Sequence, residues 1–314
     1  MCTAINETVG YHLFGRTLDL EYSLSERAVI TPRRFKLDFI HEKDMAEHSA
    51  MVGIAHVSEG RPLYYDAINE SGLGAAGLNF GGSAVYLPYR KGFFNVASFE
   101  LIPWVLGQCK DLAEAIELLR GTNLTHDSVS KALPATPMHW LIADKTGAVA
   151  AEPTFDGLKI TKNPFGVLTN EPPIEYHLTN VKNYTSLSPL PPKNSLCPDV
   201  DLPPYSRGMG AIGLPGDYSS ASRFVRATFV KSHTLPESEK QAAINRFFRI
   251  ADTVSVPRGC IVTDEGRAVS TVYTSCADTD ELTYYFSSYD SRGLKRIQMS
   301  DANIDSDGLC SIEI

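Results

Sequence analysis

Along the first part of the chain, apolar and polar positions alternate or gather into short apolar blocks broken by Gly, Asn and Pro, the signature of strands. This pattern predicts strands at 3–8, 12–18, 27–32, 50–57, 62–68 and 72–79. The period then lengthens. SFELIPWVLGQC (98–109) and DLAEAIELLR (111–120) read as two helices, the second with Asp111 as N-cap and Leu112, Ala115, Ile116 and Leu119 as its apolar stripe. Strand patterning returns at 138–143, 148–152, 158–162 and 166–169. Helices are predicted at 219–232 and 236–252, and strands at 260–264, 268–276, 282–288 and 294–299. Strands and helices come in blocks, which disfavours a doubly wound parallel sheet. An α+β fold of two sheets with a helical layer on each side fits the order. A Pro-rich passage at 186–206 interrupts it; the strand character on either side is the same, so we read it as an excursion from a single domain spanning 1–314, reaching toward a neighbouring subunit.

Composition narrows the function classes. The chain has 314 residues, 43% hydrophobic and 21% charged, as expected of a globular protein with a large core. Its net charge of −8, with no basic cluster interleaved with aromatics, argues against a nucleic-acid partner. No apolar run approaches the roughly 20 residues of a membrane span. No apolar leader opens the chain, and the expected location is the cytoplasm. The six cysteines (2, 109, 197, 260, 276, 310) form no CxxC pair, so they read as thiols rather than disulfides or metal ligands.

The first of them carries the most chemistry. Cys2 follows Met1 at the head of a strand. Trimming of Met1 would leave a residue holding both a thiol nucleophile and an α-amine, whose reference pKa of about 7.7–8.0 leaves a neutral fraction to act as base. Four passages accompany it. Gly15-Arg16-Thr17-Leu18-Asp19 ends the second strand and, in a hairpin, would run back beside Cys2. A cation about 4 Å from the sulfur, at an effective dielectric near 20, would favour the thiolate by about 4 kcal/mol as an upper bound. Asp19 is expected where this strand has already turned, accepting from the α-ammonium. GLGAAGLNF (72–80) ends near Asn79, and GVLTNEP (166–172) carries Asn170 just before a proline opening a helix. Each Asn is either a turn cap or a neutral donor for an oxyanion. GLPGDYSSASRFVR (213–226) feeds a Ser-capped helix with Arg223 set among apolar neighbours.

Taken together and in order, MCT, FGRTLD, YDAINESGLGAAGLNF, PWVLGQC, HWLIAD, GVLTNEP, GLPGDYSSASRFVR and the closing YTSC and TYYFSSYD resemble the choloylglycine hydrolase family of N-terminal-nucleophile hydrolases. The likeness runs nearly end to end. It implies a four-layer αββα sandwich and hydrolysis of a linear amide without metal or organic cofactor. It assigns Cys2 as nucleophile and base, Arg16 and Asp19 as tuning charges, Asn79 and Asn170 to the oxyanion hole, and Arg223 to the electrostatics. Asn79 looks like the bile salt hydrolase branch, where penicillin V acylases often carry Tyr, so the implied substrate is a glycine- or taurine-conjugated bile acid. Leu18, with Val129 and Leu133 from the loop before HWLIAD, would wall the steroid cleft, and the same side chains would serve equally as core. Ser206-Arg207-Gly208 is similar to a selectivity-loop variant associated with taurine conjugates, so Arg207 would meet a sulfonate or carboxylate. The resemblance also implies a homotetramer. The alternatives are a penicillin V or other N-acyl amide substrate and a non-catalytic amphiphile-binding module. A papain-like thiol protease finds no CGSCW-like element here.

Overall fold

The computed structural model describes all 314 residues. Two antiparallel sheets form its centre. Across the first run Val167–Leu168 (β12), Cys2–Glu7 (β1), Leu13–Leu20 (β2), Ala268–Asp278 (β14), Thr283–Ser288 (β15) and Lys295–Gln298 (β16), with Ile261–Val262 (β13) paired to β14. Across the second run Gly157–Lys162 (β11), Gly147–Thr154 (β10), Met138–Asp144 (β9), Gly74–Asn79 (β6), Arg61–Asn69 (β5), Met51–Ser58 (β4), Arg27–Thr31 (β3) and Cys310–Glu313 (β17). A small parallel pair, Phe94–Ala97 (β7) and Thr122–Thr125 (β8), stands apart.

Alternation along each strand decides which layer each side chain enters. Cys2 and Ala4 of β1, with Phe14 and Leu18 of β2, pack between the sheets against Ala76 and Leu78 of β6 and Leu141 and Ala143 of β9. The opposite face of the first sheet, with Ile5, Leu13 and Cys276, meets Ala243, Ile244, Phe247 and Ile250 of Lys240–Asp252 (α5). The outer face of the second sheet packs under Leu101–Gln108 (α1) and Leu112–Arg120 (α2). The layers are therefore helix, sheet, sheet, helix. Burying one such Phe, Leu or Ile side chain contributes roughly 1.5–3 kcal/mol, and three apolar layers hold the four structural ones.

Several boundaries differ from the sequence pattern. The second strand does not end at residue 18: pairing to β14 carries it through Leu20, beyond its last partner in β1, so Asp19 lies inside it rather than past a turn. The helix predicted from 98 begins as a tight turn, Ser98–Glu100, before α1. The helix foreseen from 236 begins at Lys240, and the strand at 260–264 shrinks to two residues. Strands β7, β8 and β17 are too short to show a period. Residues 186–206 form no helix or strand.

Candidate active site

The β1–β2 hairpin sets Cys2 directly opposite Leu18 and Ala4 opposite Arg16. Cys2 is 3% exposed, at the end of the sandwich where the two sheets meet a cavity of about 590 Å³. Of the 24 residues lining that cavity, 16 are hydrophobic, which suits a bulky apolar ligand rather than a sugar or nucleotide. Leu18, Val129 and Leu133 line it, together with Cys2, Arg16 and Asn79.

Arg16 is fully buried on the inter-sheet side of β2. Its Nη1 donates to the carbonyl oxygens of Tyr65 at 3.0 Å and Gly77 at 2.5 Å, and its Nε to that of Thr17 at 3.3 Å. Nη2 has no partner. Burial opposes its charge, yet the guanidinium is held above its ordinary value because Cys2, Tyr273, Asp66 and Asp19 surround it with negative potential. Asp19 faces away from Arg16, as a three-residue separation in a regular strand requires. Its Oδ1 accepts from Thr271 Oγ1 at 2.6 Å, and its Oδ2 is buried without a partner. Its backbone pairs with Met1, the amide donating to the Met1 carbonyl at 2.8 Å.

Asn170 follows β12, and its orientation is dictated by its neighbours. Oδ1 accepts from the Cys2 nitrogen at 2.9 Å and from Arg223 Nη2 at 2.6 Å. Nδ2 donates to the Asn79 carbonyl at 2.8 Å. Two donors on one side and a carbonyl on the other leave no ambiguity between amide oxygen and nitrogen. What faces the Cys2 nitrogen is thus the amide oxygen, and the amide nitrogen points toward Asn79. Asn79 is exposed to the cavity at the end of β6; its Oδ1 accepts from the Gly81 amide at 3.2 Å, and this turns Nδ2 outward.

Arg223 enters from Ser220–His233 (α4). Asp217 in the preceding loop accepts from the Ser219 amide at 2.9 Å and Ser222 Oγ at 2.6 Å, and the hydroxyls of Ser219 and Ser222, helped by that amide, lower its carboxyl to about 2. The loop so fixed aims Arg223 inward, where Nη1 reaches the Cys2 carbonyl and Thr3 Oγ1, and Nε the Tyr218 carbonyl at 3.0 Å. Burial lowers this guanidinium below its ordinary value, the reverse of the net effect at Arg16. Both remain cations, arginine being effectively never deprotonated in proteins.

Arg207 is not brought to this site. It sits exposed on the long excursion, whose backbone closes on itself from Ser188 to Gly210, and does not line the cavity. The residues that sequence reasoning passed over are those holding Asn170. Ser220 Oγ accepts from the Asn170 amide at 2.9 Å, and His177 Nε2 lies 3.1 Å from its carbonyl. His139 stacks on Phe80 with ring centroids 4.2 Å apart and bridges Glu152 (3.1 Å) to the Thr169 carbonyl (2.8 Å). Only the HWLIAD passage hinted at His139. No group of His, Cys, Asp or Glu is placed to hold a metal ion.

Residues 2–312 match the family model of linear amide C–N hydrolases, choloylglycine hydrolase family. The chain belongs to the choloylglycine hydrolase family. It is 44% identical to a bile salt hydrolase/transferase of Lactiplantibacillus plantarum, over 99% of this chain and 96% of that protein. A bile salt hydrolase/transferase of Clostridium perfringens is 33% identical over 97% and 94% of the two chains. A crystal structure of a conjugated bile acid hydrolase variant from Clostridium perfringens superposes with a TM-score of 0.92 at 31% identity, covering 100% of this chain and 97% of that one. A penicillin V acylase from Agrobacterium tumefaciens shares the fold, with a TM-score of 0.78 at 19% identity over 100% and 91% of the two chains. This choloylglycine hydrolase family member is accordingly an enzyme acting on linear amide C–N bonds, built on the αββα sandwich of N-terminal-nucleophile hydrolases. No helix in it is long and apolar enough to cross a membrane.

Proposed function

We propose that this enzyme cleaves the amide of glycine- or taurine-conjugated bile acids with Cys2 as an N-terminal nucleophile. The observation that carries this reading is the opening of one large, mostly apolar cavity directly onto Cys2, Arg16 and Asn79. A steroid body needs such a wall, and Leu18, Val129 and Leu133 supply part of it. The names of the relatives point to the same substrate class.

With Met1 in place the Cys2 nitrogen is an amide and cannot act as a base. Removal of Met1 would free it as an amine beside Asn170 Oδ1 and Asp19, and would also empty the part of the cavity that Met1 lines. In the proposed reaction the neutral amine takes the thiol proton and the thiolate attacks the amide carbonyl. The oxyanion is met by the outward Nδ2 of Asn79. Asn170 Oδ1 instead holds the amine so that its lone pair faces the sulfur. The ammonium then protonates the departing nitrogen of glycine or taurine as the C–N bond breaks, leaving a thioester. Water deprotonated by the same amine releases the bile acid. An amine in place of water would give acyl transfer, the second activity in the names of two relatives. We also propose a cytoplasmic homotetramer, with apolar side chains of the excursion such as Leu196 (90% exposed) and Tyr205 (85% exposed) covered by neighbouring subunits. Sedimentation velocity of the purified protein reads the subunit number.

Parallel assays with glycocholate, taurocholate and penicillin V test the substrate. Release of glycine or taurine at rates well above penicillin V cleavage is expected, together with an intact mass lacking methionine. Turnover confined to penicillin V, or active enzyme that retains Met1, would refute the reading.

A further inference from the structure

Strand β5 holds an irregularity directly beneath Arg16. Ile54 of β4 pairs with Asp66 and the next residue, Ala55, pairs with Tyr64, leaving Tyr65 without a partner residue. Such a bulge turns successive side chains to unusual faces. Tyr64 points outward, its hydroxyl 2.7 Å from Thr31 Oγ1, while Tyr65 packs between the sheets. Asp66 is also fully buried, and its hydroxyl partners lie on the first sheet.

Its two oxygens are met entirely by donors. Tyr273 gives its hydroxyl to Oδ1 at 2.5 Å; Ser275 gives its own to Oδ2 at 3.0 Å, and Tyr284 donates to the same atom. The Ser275 oxygen in turn accepts the backbone N–H of Arg16 at 3.1 Å, so its single proton is committed to Asp66. Three O–H donors and no acceptor suit the anion. The carbonyl just before Asp66, that of Tyr65, is one of the two that hold Arg16 Nη1. One bulge therefore supplies both a mount for the guanidinium and a buried carboxylate that Ser275 links to the Arg16 backbone.

From this geometry we infer that Asp66 is a positioning residue of the catalytic centre, the buried counter-charge that offsets Arg16 and so limits how strongly Arg16 favours the Cys2 thiolate. The inference rests on Cys2 being the nucleophile. The charged groups in play are few. From the first sheet these are Arg16 of β2, Tyr273 and Ser275 of β14 and Tyr284 of β15, and Tyr65 flanks Asp66 on its own strand. Asp19 is held by Thr271, and Arg223 reaches the Cys2 carbonyl from α4. Desolvation leaves the Asp66 carboxyl above its ordinary value, an effect that Arg16 and the three hydroxyls offset only in part. A thiol made too acidic is a weaker nucleophile, so a counter-charge keeps the sulfur reactive at the working pH.

The test is the pH profile of iodoacetamide alkylation at Cys2, scored by peptide mapping so that the exposed Cys197 and Cys260 do not contribute. In the Met1-processed enzyme Asp66→Asn should shift this profile to lower pH by about one unit, because one anion near the sulfur is gone. Tyr284→Phe removes one donor and raises the carboxyl, so a larger share of Asp66 is protonated and the profile should shift the same way by less. An unmoved profile, or one displaced to higher pH as a loosened Arg16 would give, overturns the inference. If Asp66→Asn does not fold, Tyr284→Phe decides by the same criterion. The nucleophile reading has its own readout, loss of amide hydrolysis in Cys2→Ser, so the two stand or fall separately.

Discussion

Asn170 has almost no freedom in this fold. Its amide oxygen is shared by the Cys2 nitrogen and Arg223, its amide nitrogen by the Asn79 carbonyl, and its backbone by Ser220 and His177. Asn170→Ala removes the acceptor of the Cys2 nitrogen, which in the proposed reaction orients the amine. We expect kcat to fall about 10²-fold or more with KM nearly unchanged, since the lost contact serves proton transfer rather than binding. The same change strands a buried guanidinium donor, which costs about 1–3 kcal/mol. Steady-state kinetics with urea unfolding separates the two effects, and a changed KM with unaltered kcat would contradict the assignment. The identity of Asn170 was legible in the sequence. Its orientation was not, because which amide atom faces Cys2 depends on Arg223, fifty-three positions away in the chain and reached only through packing.

At the level of elements, the β1–β2 hairpin and its crossing with β14 hold the site rigid. Gly15 sits where β2 and β14 approach so closely that a Cβ would lie 2.1 Å from the Ser275 carbonyl oxygen. That contact is backbone and cannot rotate away. Gly15→Ala should therefore cost about 1–3 kcal/mol, the range of overpacked cores, and should disturb Arg16 next to it and Ser275 under Asp66. A lowered urea midpoint at unchanged m-value is the expected result; a stability equal to the parent would show that the strands can part freely. Element types were legible because strand and helix periods differ, and the grouping into blocks gave the layered α+β architecture. What escaped was any feature set by pairing rather than by pattern: the extension of β2 through Asp19, the bulge at Tyr65 and the short strands β7, β8 and β17.

For the molecule as a whole, two buried histidines tie stability to pH. His12 lies between Asn6 Oδ1 (2.8 Å) and Thr279 Oγ1 (2.6 Å) at the base of the hairpin, and His177 stacks on Phe224 while holding the Asn170 carbonyl. Burial lowers both below the ordinary imidazole value, a loss of charge that neighbouring acids only partly offset. For a base with a depressed folded pKa, the unfolded chain binds the extra proton first. Their contribution is therefore complete above about pH 6.5, the unfolded value, and is lost as pH falls through the depressed folded values. Urea midpoints should drop between pH 7 and pH 5, and His12→Gln should flatten that slope; a slope unchanged in the variant would exclude His12 as a source.

The sequence by itself determined the layer order and the family, and it singled out the six residues proposed for the reaction, since these follow from local periodicity and from motifs that need only be present. Tertiary structure alone decided that Arg207 stays outside the cavity of its own chain, that Asp19 lies on the far face of its strand, that Asn170 gives its oxygen to the Cys2 nitrogen, and that Asp66 is joined to Arg16 through Ser275. Each of these is a matter of direction, and a side chain acquires direction only when strands from distant parts of the chain have paired and turned it.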